Sequence, residues 1–184
     1  MSKSLEEVII DLVELFRPHI ESLNSVLDIG TGSSIPIHVF AEIFPQIRFM
    51  TIDVTDARQR KKLPFVIYDG ISIPFDDLEF EGSVLNETLH HCEEPELVLL
   101  EARRVAKSVF VIEHFPSPDA SFSELYETEI YALLNFGMNF PLYNPYTEDS
   151  LLNLFEKSRL KVLDRIEIPY YGKREIKKYF YKLE

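Results

Sequence analysis

The chain has 184 residues, 46% of them hydrophobic, with one cysteine and a formal charge of −12. Its length and apolar share suit a single α/β domain over 1–184, and the lone Cys92 excludes both an intrachain disulfide and a cysteine-rich zinc site. The negative charge opposes a phosphate backbone and so disfavours nucleic acid as a partner; the basic runs Arg58–Lys62 and Lys173–Lys178 read as solvated surface.

Ser4, with Glu7 three residues on and apolar residues at Leu5, Val8, Ile9, Leu12 and Phe16, predicts a capped amphipathic helix ending near Pro18. Ser25–Ile29 reads as a buried strand. A glycine turn leads from it into a helix over Ile35–Phe44, with Ser34 as its cap and Pro36 in its first turn. Further strands are expected at Arg48–Asp53, Phe65–Tyr68, Ser83–Asn86 and Ser108–Glu113, with a helix opened by Pro95 and running to Val105. Between Asp53 and Phe65 there is room only for a short helix or an irregular connection. The segment 115–147, rich in aromatics and proline, reads as a lid on the acceptor side, with a helix over Ser121–Asn135. A helix from Thr147 or Glu148 to Lys157 follows, then strands over Lys161–Ile168 and Ile176–Leu183 flanking a Tyr171-Gly172 turn. Strand and helix alternate, which implies a mostly parallel sheet with helices on both faces. The longest apolar runs fall far short of the roughly 20 residues of a membrane span, and the opening MSKSLEEV has no basic-then-apolar leader. A cytoplasmic protein with no membrane partner is expected; oligomeric state is not legible.

The strongest local signal is Val26–Ser34, VLDIGTGSS, where Gly30 and Gly32 let the backbone turn sharply and a ligand come close. Asp53, ending the second strand, can accept hydrogen bonds from both hydroxyls of an adenosine ribose. Alone, a two-glycine turn is equally an ordinary βα connection. Two later segments add to it: Asp69-Gly70-Ile71-Ser72-Ile73-Pro74-Phe75 and Val84-Leu85-Asn86-Glu87-Thr88-Leu89-His90-His91.

With these four motifs in order, the chain resembles the class I S-adenosylmethionine-dependent methyltransferases, in particular the branch of ubiquinone and menaquinone biosynthesis enzymes and small-molecule methyltransferases. The resemblance covers roughly Ser25 to Phe115. It implies a Rossmann-like fold of seven strands with an antiparallel last strand, S-adenosylmethionine as cofactor, and a small-molecule acceptor. It further implies that Asp28, Gly30 and Gly32 face the ribose and methionine part of the cofactor, with Asp28 helping to hold the ammonium. Asp53 would bind the ribose hydroxyls, Asp69, Gly70 and Ile71 the adenine, and the Asn86 carbonyl would lie near the methionine moiety. Two departures stand out: Ser34 replaces the family's third glycine, and the segment from Asp53 to Asp69 is short, which implies a more open adenine pocket.

Methyl transfer is an in-line displacement that positioning alone accelerates greatly, so a base is optional. If the acceptor is a hydroxyl, the candidates at the sheet edge are His90, His91, Glu113 and His114, with His91 and His114 favoured. The same histidines also suit helix capping or packing beneath the lid. The grouping of His90, His91, Cys92, Glu93 and His114 fits no familiar zinc spacing, so no metal is expected. Two other functions fit part of the pattern: a nicotinamide-dependent oxidoreductase, which leaves the Asp69–Phe75 motif unexplained, and a non-catalytic protein that keeps the fold and its cofactor.

Overall fold

The computed structural model describes residues 5–117, 123, 126–127, 130, 141–168 and 176–184. Seven strands form one sheet in the order β3-β2-β1-β4-β5-β7-β6. They are β1 (Ser25–Ile29), β2 (Arg48–Asp53), β3 (Phe65–Ile67), β4 (Phe80–Asn86), β5 (Ala106–Pro116), β6 (Val162–Ile168) and β7 (Ile176–Leu183). The pairs β2–β3, β1–β2, β1–β4 and β4–β5 are parallel, and β7 runs antiparallel to both β5 and β6. This is the expected doubly wound sheet with its antiparallel last strand.

The helices described in full that cover the two faces are α1 (Leu5–Ile20), α2 (Ile35–Ile43), α3 (Pro95–Val105) and α4 (Glu148–Lys157). Alternation along β5 shows why. Val109 and Val111 point into the core with α3 and α4, while Phe110 and Ile112 point into the core with α1 and α2. Phe180 on β7 meets Phe16 of α1 at 4.4 Å between ring centroids and so closes the second core. Each such buried side chain contributes about 1.5–3 kcal/mol relative to exposure.

Several local expectations are corrected. Helix α1 passes through Pro18 to Ile20, and β4 and β5 begin at Phe80 and Ala106, earlier than the patterns of their central residues suggest. Ser34 is not a side-chain cap: its backbone is left-handed, φ 59°, which turns the hydroxyl away from the first helical N–H groups. That hydroxyl instead donates to the Arg60 carbonyl at 2.5 Å. Buried His38 adds a second tie, joining the Ser34 carbonyl at 2.7 Å to the Lys62 N–H at 3.2 Å. The irregular connection after β2 is thereby strapped to α2. Arg58 within it is not solvated, since its guanidinium lies 3.9 Å over the Phe65 ring and bonds Asp56 at 2.9 Å. The cap of α4 is as expected: Thr147 and Ser150 exchange bonds as a capping box. The Ser4 cap, the Tyr171-Gly172 turn and most of the helix over 121–135 lie outside the described residues.

Chain order reverses between β1 and β4, the crevice where open α/β sheets bind ligands at their carboxyl ends.

Candidate active site

The turn after β1 is tied directly to β2. The N–H groups of Gly30 and Thr31 both donate to the Ile52 carbonyl, at 2.9 and 3.1 Å, and Gly32 N–H donates to Asp53 Oδ2 at 2.8 Å. Asp53 Oδ1 accepts from Val54 N–H at 2.7 Å. Burial pushes the Asp53 carboxyl upward against these hydrogen bonds, yet each oxygen keeps acceptor capacity for a further donor. Gly30 has φ 73° and Gly32 φ 49°, the left-handed turn their positions implied. A β-carbon on Gly30 would meet Thr88, so this glycine makes room for the protein itself.

Asp28 pairs in register with Thr51, two residues before Asp53, so strand alternation puts both carboxylates on the face of α1 and α2. Asp28 is only 5% exposed. Burial pushes its carboxyl up to about 7, and the Asp53 charge adds to it. Across the crevice, Asn86 ends β4, and its buried Oδ1 has no hydrogen-bond partner among the described residues. Its backbone carbonyl, the group the family resemblance had aimed at a ligand, accepts from Thr88 Oγ1 at 3.2 Å. A buried carboxylate and an unmatched buried acceptor fit a bound group that brings donors and positive charge.

Asp69 forms a turn of its own: Oδ1 accepts from Ile71 N–H at 2.8 Å and Ser72 N–H at 2.6 Å, and these bonds hold its carboxyl below the usual range. Beside Gly70, where an added β-carbon would lie 3.1 Å from the Val54 side chain, Val54 and Ile71 stand exposed at the sheet end. The following Ile73-Pro74-Phe75 is pinned to α3. Arg104 donates to the Ile73 and Phe75 carbonyls at 2.8 Å each, and Glu101 Oε2 accepts from Ile73 N–H at 3.0 Å.

After β4 the chain makes a short 3-10 turn, Leu89–His91. Thr88 Oγ1, 3.2 Å from the Ile29 carbonyl, fastens this loop to the glycine turn. His90 Nδ1 lies 2.6 Å from Glu113 Oε2, and Glu113 Oε1 accepts from Leu89 N–H at 2.8 Å. His91 Nδ1 is 2.9 Å from the Pro141 carbonyl. His114 Nδ1 is 2.8 Å from Glu87 Oε1, which Lys178 also meets at 2.9 Å. The His90 ring centroid lies 4.1 Å from that of His91 and 5.0 Å from that of His114. The four base candidates of the sequence are thus brought to one place. From above, Tyr143 and Asn144 N–H groups both donate to the His90 carbonyl, at 3.0 and 3.1 Å.

Glu87, Thr88, Asn144 and Lys178 were not foreseen as site residues. Burial opposes ionisation of Glu87, but Lys178 and His114 hold its carboxyl well below the usual range. The antiparallel register sets Lys178 directly opposite His114, a pairing that only the β5–β7 alignment reveals. Glu87 also adopts φ 53°, rare outside glycine, and such strain clusters at functional sites. Tyr146 is buried, its hydroxyl unpartnered among the described residues, and burial pushes that phenol upward with the Glu113 charge adding to it. Cys92 is an inert thiol, pushed up to about 12 by burial.

Residues 27–109, from β1 into β5, match the family model described as a methyltransferase domain. The cofactor this match supports is S-adenosylmethionine. No curated protein sequence matches the chain. Among solved structures, the geranyl diphosphate C-methyltransferase of Streptomyces coelicolor A3(2), crystallised with Mg2+, geranyl diphosphate and S-adenosyl-L-homocysteine, superposes with a TM-score of 0.70 at 13% identity, over 98% of this chain and 80% of that one. A SAM-dependent methyltransferase from Aquifex aeolicus gives 0.60 at 18% identity over 98% of both chains. The [4+2]-cyclase SpnF gives 0.68 at 15% identity, over 94% of this chain and 78% of that one. At these identities the likeness is one of fold, and the fold hosts more than one chemistry.

Proposed function

We propose that the chain transfers the methyl group of S-adenosylmethionine to a small-molecule acceptor by in-line displacement. The observation that carries this reading is the Asp28 carboxylate, 5% exposed and pushed up to about 7 by burial at the switch point of the segment that matches the methyltransferase model. Such a group favours a cationic partner, and the cofactor's ammonium supplies one. The neighbouring residues take the roles their positions suit. Asp53 accepts from the ribose hydroxyls, Gly30 and Gly32 shape the turn beneath, and Asp69, Gly70 and Ile71 border the adenine beside exposed Val54. Asn86 offers its unmatched Oδ1 toward the methionine part.

When bound, the cofactor supplies a methyl on a sulfonium, a leaving group that needs no metal to activate it. The protein's task is then to hold the acceptor in line and keep water out. His91 and His114 flank His90 on the acceptor side, under the cover of Pro141 to Tyr146. A small acceptor suits this enclosed trio, the charge of −12 that repels nucleic acid, and the likeness to small-molecule enzymes. The geranyl diphosphate enzyme, whose acceptor is a small molecule, adds weight.

The test is calorimetric titration with S-adenosylhomocysteine, repeated on Asp53→Ala. Micromolar binding that the substitution weakens at least tenfold is expected. Wild-type protein that binds nothing at millimolar ligand would overturn the reading.

A further inference from the structure

The two departures from the family pattern, Ser34 after the glycine turn and the short stretch beyond Asp53, meet in the fold. The connection 54–64 carries no helix, and the start of α2 holds it instead. Ser34 Oγ donates to the Arg60 carbonyl at 2.5 Å and accepts from the Arg60 N–H at 3.3 Å, so one hydroxyl grips both polar groups of that backbone. Gln59 N–H donates to the Ser33 carbonyl at 2.9 Å, and Lys62 N–H donates to His38 Nε2 at 3.2 Å.

These bonds fix the state of each group. A backbone carbonyl only accepts, so His38 Nδ1, 2.7 Å from the Ser34 carbonyl, carries the ring's proton, and Nε2 keeps the lone pair that Lys62 N–H requires. His38 is buried, with both ring nitrogens used. Ser34 sits at φ 59°, where glycine is free of strain and serine is not. What serine adds there is the hydroxyl. The clasp closes around the acid at the end of β2: Ser33 and Ser34 follow Gly32, whose N–H meets Asp53 Oδ2, and the connection begins at Val54, whose N–H meets Asp53 Oδ1.

On the reading that the crevice binds S-adenosylmethionine, we propose that Ser34 and His38 are positioning residues for the cofactor: they fasten the connection to α2 and so fix the Asp53 carboxylate for the ribose hydroxyls. Val54, beside Gly70 on the adenine side, is carried by the same connection. Coupling of this kind is reciprocal, so the bound cofactor tightens the clasp by the factor by which the clasp tightens the cofactor.

The test joins calorimetry with S-adenosylhomocysteine to amide exchange at Arg60 and Lys62. Ser34→Ala keeps the left-handed backbone and removes the hydroxyl, and Ser34→Gly removes the hydroxyl and the strain together, which protects the fold. Both are expected to bind about tenfold more weakly and to exchange at Arg60 about tenfold faster. His38→Leu should do the same at Lys62, while His38→Gln, whose side-chain carbonyl accepts from Lys62 N–H, stays within about twofold of wild type. In wild type the saturating ligand should slow exchange at Lys62 by about tenfold, and nitrogen-15 NMR should find His38 protonated at Nδ1. Unchanged affinity in both Ser34 variants, or exchange at Lys62 that the ligand does not slow, overturns the proposal and leaves the clasp as a contact of the fold alone. A ring protonated at Nε2 overturns the part given to His38. Wild-type protein that binds nothing at millimolar ligand strikes the methyltransferase reading instead.

Discussion

Thr88 fills the space that a side chain at Gly30 would need: a β-carbon there would overlap Cγ2 of Thr88 and lie 2.7 Å from its Oγ1. The glycine is required twice over, for this contact and for its φ of 73°. Gly30→Ala is expected to cost about 3 kcal/mol, roughly 1–2 from the left-handed backbone and the rest from overpacking. Adding Thr88→Ala removes the overlap but not the backbone strain, so the double variant should regain about half the loss. Urea denaturation of the four proteins in the cycle measures this; additive losses would show that the two residues are not coupled.

This pair also marks the limit of what the sequence could say. Gly30 was legible as a turn residue, because strand, glycines and helix follow one another within ten residues. That the obstacle above it is Thr88 depends on the β1–β4 register, which no local pattern encodes. The sheet was readable because each strand is a short apolar run between turn signals. The long β5 was clipped because Ala106, Lys107, His114 and Pro116 do not look like strand; a central strand covered on both sides imposes that conformation on them. Ser34 misled because capping is the commonest use of a serine before a helix, whereas its left-handed backbone diverts the hydroxyl to Arg60. The acidic cofactor candidates lie at strand ends and could be placed. The ion cluster of Glu87, His114 and Lys178 joins three separate stretches and could not.

Arg104 carries the Ile73–Phe75 turn on its guanidinium, with further bonds to Glu101 and to Asp77 at 2.8 Å. Arg104→Lys keeps the charge but brings three donors in place of the five that reach two carbonyls and two carboxylates. A loss of about 1–2 kcal/mol is expected, and about 2–3 kcal/mol for Arg104→Ala, which strands the carbonyls. Since the turn follows Asp69 directly, affinity for S-adenosylhomocysteine should fall severalfold in both, as read by calorimetry. Unchanged affinity would separate this turn from the adenine side.

Lys178 and His114 hold the Glu87 carboxyl well below its usual range although burial opposes its charge. A depressed acid contributes stability above its unfolded value and loses it as pH falls through the folded one. Lys178→Met is therefore expected to be less stable than wild type at pH 7, by about 1–2 kcal/mol for a partly exposed pair. Thermal melts from pH 7 to pH 2 should show the gap closing below about pH 4, as Glu87 protonates in wild type. A gap of constant size would mean that the loss is one of packing by the lysine stem.

Asp28 works in the opposite sense, because burial raises its carboxyl to about 7. In the ligand-free protein an acid raised in this way penalises the folded state above its folded value, and the penalty vanishes below its unfolded value of about 3.9. Asp28→Asn should accordingly melt higher than wild type at pH 8, with the difference closing as pH falls toward 4. Cofactor binding has the reverse sign, since only the ionised carboxylate attracts an ammonium. Between pH 6 and pH 8 the ionised fraction rises about tenfold, and wild-type affinity for S-adenosylhomocysteine should rise by about the same factor. Asp28→Asn should bind more weakly at pH 8 and show no such rise. Calorimetry at three pH values decides this: parallel pH profiles for the two proteins would remove Asp28 from contact with the ammonium and leave it as a structural acid of the turn.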